Sequence, residues 1–258
     1  MYSLNDIQTN EEICYKYLGE LKTNRPIKKI IEQAHELSPE LKEFYDKNEL
    51  KLSKGDKGDK GNLGKYLEFA LFGKVPNNKQ ETDLPFGDIK TTILKNFKNI
   101  GKNAKERLTI TNCGNTENYD TFDNLKNVDK ISFYKYYNKI QKGILFVNEH
   151  TDETYSSLED KLSAKMLKIC IYNIEKLPQE YQNQINEDLI DIQNKIKTQT
   201  VSQRGQKYLH IHPHGSKGMK TRALGFTNKF VTIIISYFCN LTIEKKGRSL
   251  YIKNECFN

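Results

Sequence analysis

The chain has 258 residues, with 41 Lys and Arg against 33 Asp and Glu, a formal charge of +8 and a pI near 9.0. That length suits one large domain or two lobes around a substantial core, and the positive balance favours a polyanionic partner, nucleic acid ahead of membrane. No run approaches the roughly 20 apolar residues of a membrane span, Met1 to Asn10 lacks the basic and apolar segments of a signal peptide, and Cys14, Cys113, Cys170, Cys239 and Cys256 form no CxxC pair. The expectation is a cytoplasmic protein with reduced thiols and neither a zinc knuckle nor a disulfide framework.

In chain order, Ser3 to Leu18 and Pro26 to Leu37 mix acids, lysines and apolar residues at helical spacing, and Leu41 to Leu50 continues them as a helical N-terminal arm. A Lys-Gly-Asp tandem between Ser53 and Gly64 then reads either as a polar linker or as a glycine loop whose amides and Lys54, Lys57 and Lys60 track a phosphate backbone. A short amphipathic helix follows, capped by Asn62 and stopped by Gly73, with Leu63, Tyr66, Leu67, Ala70 and Leu71 on one stripe and Glu68 at its edge.

The next stretch, Asp83-Leu84-Pro85-Phe86-Gly87-Asp88-Ile89-Lys90, carries the chemistry. If a strand begins at Asp88, its period of two puts Asp88 and Lys90 on one face and turns Ile89 into the core. Pro85 and Gly87 shape a turn that folds Asp83 back toward Asp88. Paired carboxylates suit Mg²⁺, which keeps its waters and takes one or two protein carboxylates beside a phosphate. Lys90 is placed to neutralise charge on a phosphorane or to acidify the attacking water. Such a spacing also arises by chance in a chain that is 29% charged, where it marks a solvated turn, so its weight comes from its neighbours.

Thr91 to Leu94 continues the strand, and Asn96 to Asn127 reads as long polar loops around a strand at Leu108 to Ile110. Tyr134, Tyr136 and Tyr137 are expected to pack rather than stack on bases, Gly143 to Val147 is a buried strand, and Met166 to Ile174 is another. Tyr181 to Lys197 is a helix with Ile185, Leu189, Ile192 and Ile196 on one face and solvated acids and lysines on the other.

Lys207 to Phe226 alternates three histidines and then becomes dense in Lys, Arg, Ser and Gly. His210 and His212 share a strand face, but no nearby Cys or acid completes a zinc site. The loop that follows, rooted between two β-like segments, is suited to entering a DNA groove, with His212, His214, Ser216, Lys217, Lys220, Arg222 and Lys229 as candidate contacts to bases and phosphates. Phe230 to Phe238, apolar and β-branched, anchors it in the core.

Taken together, these stretches resemble the MutH family of mismatch-repair and type II restriction endonucleases. Residues 60 to 69 are similar to the family's Lys-Gly-x-x-Gly…Glu helix, Asp83-x4-Asp88-Ile89-Lys90 to its Asp-xn-Glu-x-Lys core, and Gly215 to Phe230 to its DNA-reading segment. The short spacing from Asp83 is nearest to the MvaI and BcnI restriction enzymes, and Lys220 to Phe226 to the GATC-cutting branch. Two departures stand out: Thr82 replaces the usual Pro, and Asp88 the commoner Glu. The resemblance implies an α/β restriction-endonuclease-like PD-(D/E)xK fold, with a mixed central sheet flanked by helices and two lobes around a DNA cleft. On that basis the chain divides into a helical arm (1 to 50), a catalytic core (51 to 175) and a recognition lobe (176 to 258).

The resemblance further implies catalysis by Glu68, Asp83, Asp88 and Lys90, Mg²⁺ held by Asp83 and Asp88, and an additional lysine, Lys139 or Lys142. The expected activity is sequence-specific hydrolysis of double-stranded DNA leaving 5′-phosphates, by a monomer or homodimer, beside a cognate DNA methyltransferase. The site expected is GATC, with CCWGG or CCSGG as alternatives. Two other readings remain open: a partner-activated mismatch-repair nickase and a DNA-binding module without turnover.

Overall fold

The computed structural model describes residues 1–48, 62–75, 81–97, 100–150, 158–215 and 218–257. Its elements are, in order, α1 (Leu4–Thr9), α2 (Glu11–Glu20), β1 (Arg25–Pro26), α3 (Ile27–Leu37), α4 (Pro39–Asn48), α5 (Asn62–Phe72), β2 (Asp88–Phe97), β3 (Gly101–Ala104), β4 (Leu108–Asn115) and α6 (Asp123–Lys126). There follow α7 (Tyr137–Gln141), β5 (Lys142–Glu149), α8 (Leu158–Ser163), β6 (Lys165–Asn173), α9 (Gln179–Lys197), β7 (Leu209–Pro213), β8 (Thr221–Phe226), α10 (Asn228–Phe238), β9 (Ile243–Lys246) and β10 (Ser249–Ile252). The fold is mixed α/β, as expected. The chain forms two compact units, each from discontinuous segments: Met1–Asn96 with Gly143–Ile171 and Phe257–Asn258, and Phe97–Lys142 with Tyr172–Cys256.

In the first unit the strands run β1-β6-β5-β2. The sheet is mixed: β1 pairs antiparallel with β6, and β2 lies parallel to β5 from Asp88 opposite Gly143 to Leu94 opposite Glu149. The unbroken apolar run Ile144 to Val147 in β5 is fully buried, as a parallel strand covered on both faces must be. The N-terminal helices do not stand apart as an arm. Ile7 of α1, Tyr17 of α2, Ile30 of α3 and Leu41 of α4 share one core with Leu67 of α5, Ile89 of β2 and Phe146 of β5.

The stripe expected on α5 is buried throughout, and Phe69 and Phe72 are buried as well. The last carbonyls of α5 are satisfied from α1 and α2, where Gln8 Nε2 donates to Phe72 O (2.7 Å) and Tyr17 Oη to Leu71 O (3.1 Å). Gly73 then turns the chain at φ +61, a left-handed conformation that favours glycine.

In the second unit β10 pairs with β3 and β9, and a separate sheet runs β4-β8-β7. The polar stretch after Asn96 is more ordered than expected, since it contains β3, β4 and α6 as well as loops. Phe230 to Phe238 is helical despite its β-branched residues. Thr227 caps α10 by accepting from Phe230 N–H (3.3 Å), and burial of Phe230 through Ser236 on every side outweighs strand propensity.

The acids of α9 are not all solvated. Asp188 is 3% exposed and accepts from the backbone N–H groups of Lys207 (2.9 Å), Tyr208 (2.6 Å) and Leu209 (2.9 Å) as well as from Gln184. It holds the entry to β7. A buried carboxylate survives there because a fan of donors replaces its water. Burial still raises its pKa, against the pull of those donors. All five cysteines are free thiols, and Cys14, Cys113 and Cys170 are buried. No helix among the described residues is long and apolar enough to cross a membrane.

Candidate active site

The site is built on the first two residues of β2 and the turn before them. Leu84 and Gly87 close that turn with reciprocal backbone hydrogen bonds of 3.0 and 3.2 Å, and Phe86 meets Tyr15 of α2 edge-on at 5.8 Å. The turn brings Asp83 back onto the strand start. Its Oδ2 accepts from Ile89 N–H at 2.8 Å, and its own N–H donates to Asp88 Oδ1 at 3.3 Å. The pleat does the rest: Ile89 enters the core at 2% exposure, while Asp88 Oδ2 and Lys90 Nζ meet at 2.5 Å on the opposite face.

Glu68 comes from α5. The first turn of that helix lies against β2 one residue beyond Lys90, where a Cβ on Gly64 would be 3.5 Å from Thr91 Oγ1. Glu68 is one helical turn further along the same face, and its charge acts on Lys90. The structure thus gathers Glu68, Asp83, Asp88 and Lys90 within one unit, from two segments the sequence separates.

The electrostatics follow from that crowding. Asp83 is pushed up to about 6, first by burial and then by the hydrogen bond to, and charge of, the Asp88 carboxylate, against the pull of Lys90 and Ile89 N–H. Lys90 loses solvation, which lowers its pKa, but Asp88, Asp83 and Glu68 outweigh the loss and leave it above the usual lysine value. Asp88 is completely buried, whereas the Lys90 side chain keeps 21% of its surface exposed. Of the pair, only the lysine side chain keeps any exposed surface.

Two adjacent carboxylates, of which Asp88 raises the proton affinity of Asp83, form a hard oxygen donor set, which fits Mg²⁺. The fit rests on Asp83 and Asp88 alone. Among the described residues no group of three or more His, Cys, Asp or Glu could hold a metal ion, a condition Mg²⁺ does not require when waters and a phosphate complete its shell.

The expected recognition residues separate into three groups. Lys54, Lys57, Lys60, Ser216 and Lys217 lie outside the described residues. His214, Lys220 and Lys229 are exposed on the second unit, the first two flanking the turn between β7 and β8. His212 and Arg222 are buried, at 3% and 8% exposure, and so face neighbouring residues rather than solvent.

His212 Nε2 bonds Thr109 Oγ1 at 3.0 Å, and its ring lies 4.7 Å from that of His210. Burial, with the charge of Arg107 and the neighbouring histidines, lowers His212 to about 3, and burial with Arg107 lowers His210 to about 4, so both rings are neutral. Arg222 donates to Ser202 Oγ at 3.0 Å and to the carbonyl of Thr221 at 3.1 Å. Alternation along β7 put His210 and His212 on one face, but did not show that the face is covered. Of the two lysines considered for an additional catalytic role, Lys139 is buried on α7 of the second unit and Lys142 is half-buried at the start of β5. Compared with known proteins, the chain matches no protein-family model and no curated protein.

Proposed function

We propose that the protein is a Mg²⁺-dependent, sequence-specific endonuclease of double-stranded DNA with a PD-(D/E)xK fold, acting as a type II restriction enzyme beside a cognate methyltransferase. The observation that carries this reading is the convergence of Asp83, Asp88 and Lys90 at the head of β2, with Glu68 of α5 beside them. Asp83 and Asp88 would hold the metal. When bound, Mg²⁺ supplies Lewis-acid polarisation of the phosphoryl group and acidifies water.

The chain's own residues have distinct tasks. Lys90 keeps its proton on Nζ because three carboxylates surround it, so it presents a fixed positive charge to a phosphodiester oxygen that becomes more negative on attack. Asp83, titrating near 6, is ionised at neutral pH and ready to accept cationic charge. Ile89 N–H fixes the Asp83 carboxylate, and the edge contact of Phe86 with Tyr15 holds the turn that presents it. Glu68 orients Lys90 through its charge. The exposed His214, Lys220 and Lys229 contact DNA, and phosphate contacts make binding salt-dependent.

The test is cleavage of unmethylated plasmid by the purified protein with Mg²⁺ and with EDTA, followed by sequencing of the ends. Discrete Mg²⁺-dependent fragments with 5′-phosphates are expected, at GATC or a short pseudosymmetric site. The complete burial of Asp88 against Lys90 favours a second reading, a DNA-binding module without turnover. Plasmid left intact under every condition, with duplex binding retained, decides for the module. Latent nicking that a partner stimulates decides for a repair nickase.

A further inference from the structure

The second unit carries a cluster of cations away from the β7–β8 turn. β10 runs antiparallel to β3 with Ile252 opposite Lys102, so the start of β10 and the end of β3 lie at the same end of their ladder. Two turns emerge there. One joins β3 to β4 and consists of exposed Lys105, Glu106 and Arg107; the other joins β9 to β10, where Lys245, Lys246 and Arg248 are exposed around Gly247.

Of the acids in these turns, Glu244 pairs with Lys246 at 3.6 Å. Neither Lys245 nor Arg248 makes an ion pair among the described residues, so the excess positive charge faces solvent. Register also sets this end apart from the loop expected to read bases. Leu108, beside Arg107, stands opposite Phe226, while the other end of β4, Asn115, stands opposite Thr221 next to the β7–β8 turn. Eight residues of β4 separate the two ends, roughly 24 Å of strand.

We infer that the end of the second unit formed by the β3–β4 and β9–β10 turns is a second contact surface for the phosphate backbone of a nucleic-acid duplex, with Lys105, Arg107, Lys245, Lys246 and Arg248 as its cations. This rests on the DNA-binding reading above. The chemistry is charge complementarity: flexible cations on two adjacent turns match a regular row of phosphates and read no base edges, so they add affinity and salt dependence without specificity. The β9–β10 turn closes a two-stranded ribbon, and the β3–β4 turn links one sheet to the other. The competing role for such residues is to guard an open sheet edge, since lysines on an edge strand such as β9 block pairing with another chain.

The experiment measures binding of the full chain to a labelled duplex between 50 and 200 mM salt, in buffer containing Ca²⁺ in place of Mg²⁺. The wild type is compared with Lys245→Ala/Lys246→Ala/Arg248→Ala, with Lys105→Ala/Arg107→Ala, and with the charge-retaining Lys245→Arg/Lys246→Arg/Arg248→Lys. Each phosphate contact contributes about 0.9 to the slope of log K against log salt. The triple alanine variant should flatten the slope by about 2.7 and the double by about 1.8, with unchanged preference among sequences, and the charge-retaining variant should keep the wild-type slope.

A wild-type slope in both alanine variants overturns the surface and leaves the DNA reading standing. Self-association of the triple alanine variant with an unchanged slope overturns it in favour of edge protection. Absence of duplex binding by the wild type overturns both readings together. Circular dichroism of the five exposed-site changes is expected to match the wild type, which separates loss of contact from loss of fold.

Discussion

Two strand segments carry the polar residues that drew attention in the sequence, and the fold treats them in opposite ways. At the head of β2, Asp83, Asp88 and Lys90 are pressed together, with like charges adjacent and part of the lysine side chain exposed. Along β7 and β8, His212 and Arg222 are packed inside, neutral or hydrogen-bonded to their surroundings. In the first arrangement neighbouring carboxylates repel each other, a repulsion that added positive charge would ease. The second bonds some of its polar atoms to neighbouring strands and loops, His212 Nε2 to Thr109 and Arg222 to Ser202, while His210 Nε2, His212 Nδ1 and Arg222 Nε are enclosed without a hydrogen bond among the described residues. The difference teaches that alternation identifies which side chains share a face, whereas function depends on whether that face is covered by the rest of the chain.

The sharpest way to break this comparison is to remove charge from β2. Lys90→Met should lower cleavage by about 10²–10³-fold, the usual cost of losing a donor aimed at developing negative charge, and should also destabilise the fold because Asp88 then keeps a buried carboxylate without its amine. Asp83→Ala should abolish Mg²⁺-dependent cleavage while duplex binding persists. Undiminished cleavage in either variant, read from single-turnover rates, would remove β2 from the chemistry.

The next largest effect tests whether β7 and β8 are scaffold. A Cβ at position 225 would sit 2.4 Å from Leu108 O and 2.8 Å from His212 Cε1, so Gly225→Ala should cost up to about 3 kcal/mol in urea unfolding through forced strand separation. Arg222→Ala should follow, losing about 1–3 kcal/mol with its bonds to Ser202 and Thr221. Its sequence preference in a cleavage-site survey should not change. Relaxed specificity with unaltered stability would instead make Arg222 a reader of bases.

The smallest effect is in the pH dependence, where the two regions should respond with opposite sign. His210 and His212 have folded-state pKa values of about 4 and 3, below the ordinary 6.5. Their contribution to stability is therefore complete above that ordinary value and is lost as pH falls toward the folded-state values. Asp83 is raised to about 6 from 3.8, so its contribution is complete below 3.8 and is lost as pH rises through 6. Each should change stability by on the order of 1 kcal/mol per pH unit in its window. Hydrogen exchange between pH 4 and 7 should show β7 and β8 loosening on acidification, and the Asp83 turn tightening. A His212→Gln variant should remove part of the first slope, and parallel behaviour of the two regions would contradict the assigned burial.

Much of the first region was legible because its signals are local. Gly73 ends α5, Pro85 and Gly87 mark the turn, and the period of two places Ile89 against Asp88 and Lys90, all within reach of backbone sterics. Long apolar runs likewise announced β5 and β6. The α10 helix was obscured because its β-branched residues favour strand locally and only surrounding burial reverses that preference. Asp188 was illegible for a related reason: its donors come from residues 207 to 209, about twenty positions away, and nothing in the helical pattern of α9 distinguishes it from a solvated acid.

The sequence by itself determined the mixed α/β character, most strand and helix positions, and the alignment of Asp88 with Lys90, because propensity, turn chemistry and side-chain period act over a few residues. Only the tertiary structure decided that the N-terminal helices share a core with the stretch around Ile89, that the charge of Glu68 acts on Lys90, and that His212 and Arg222 are enclosed. Those outcomes depend on which distant surfaces cover one another, and burial, which sets both the charge state and the accessibility of a polar group, is a property of the packed chain rather than of any stretch within it.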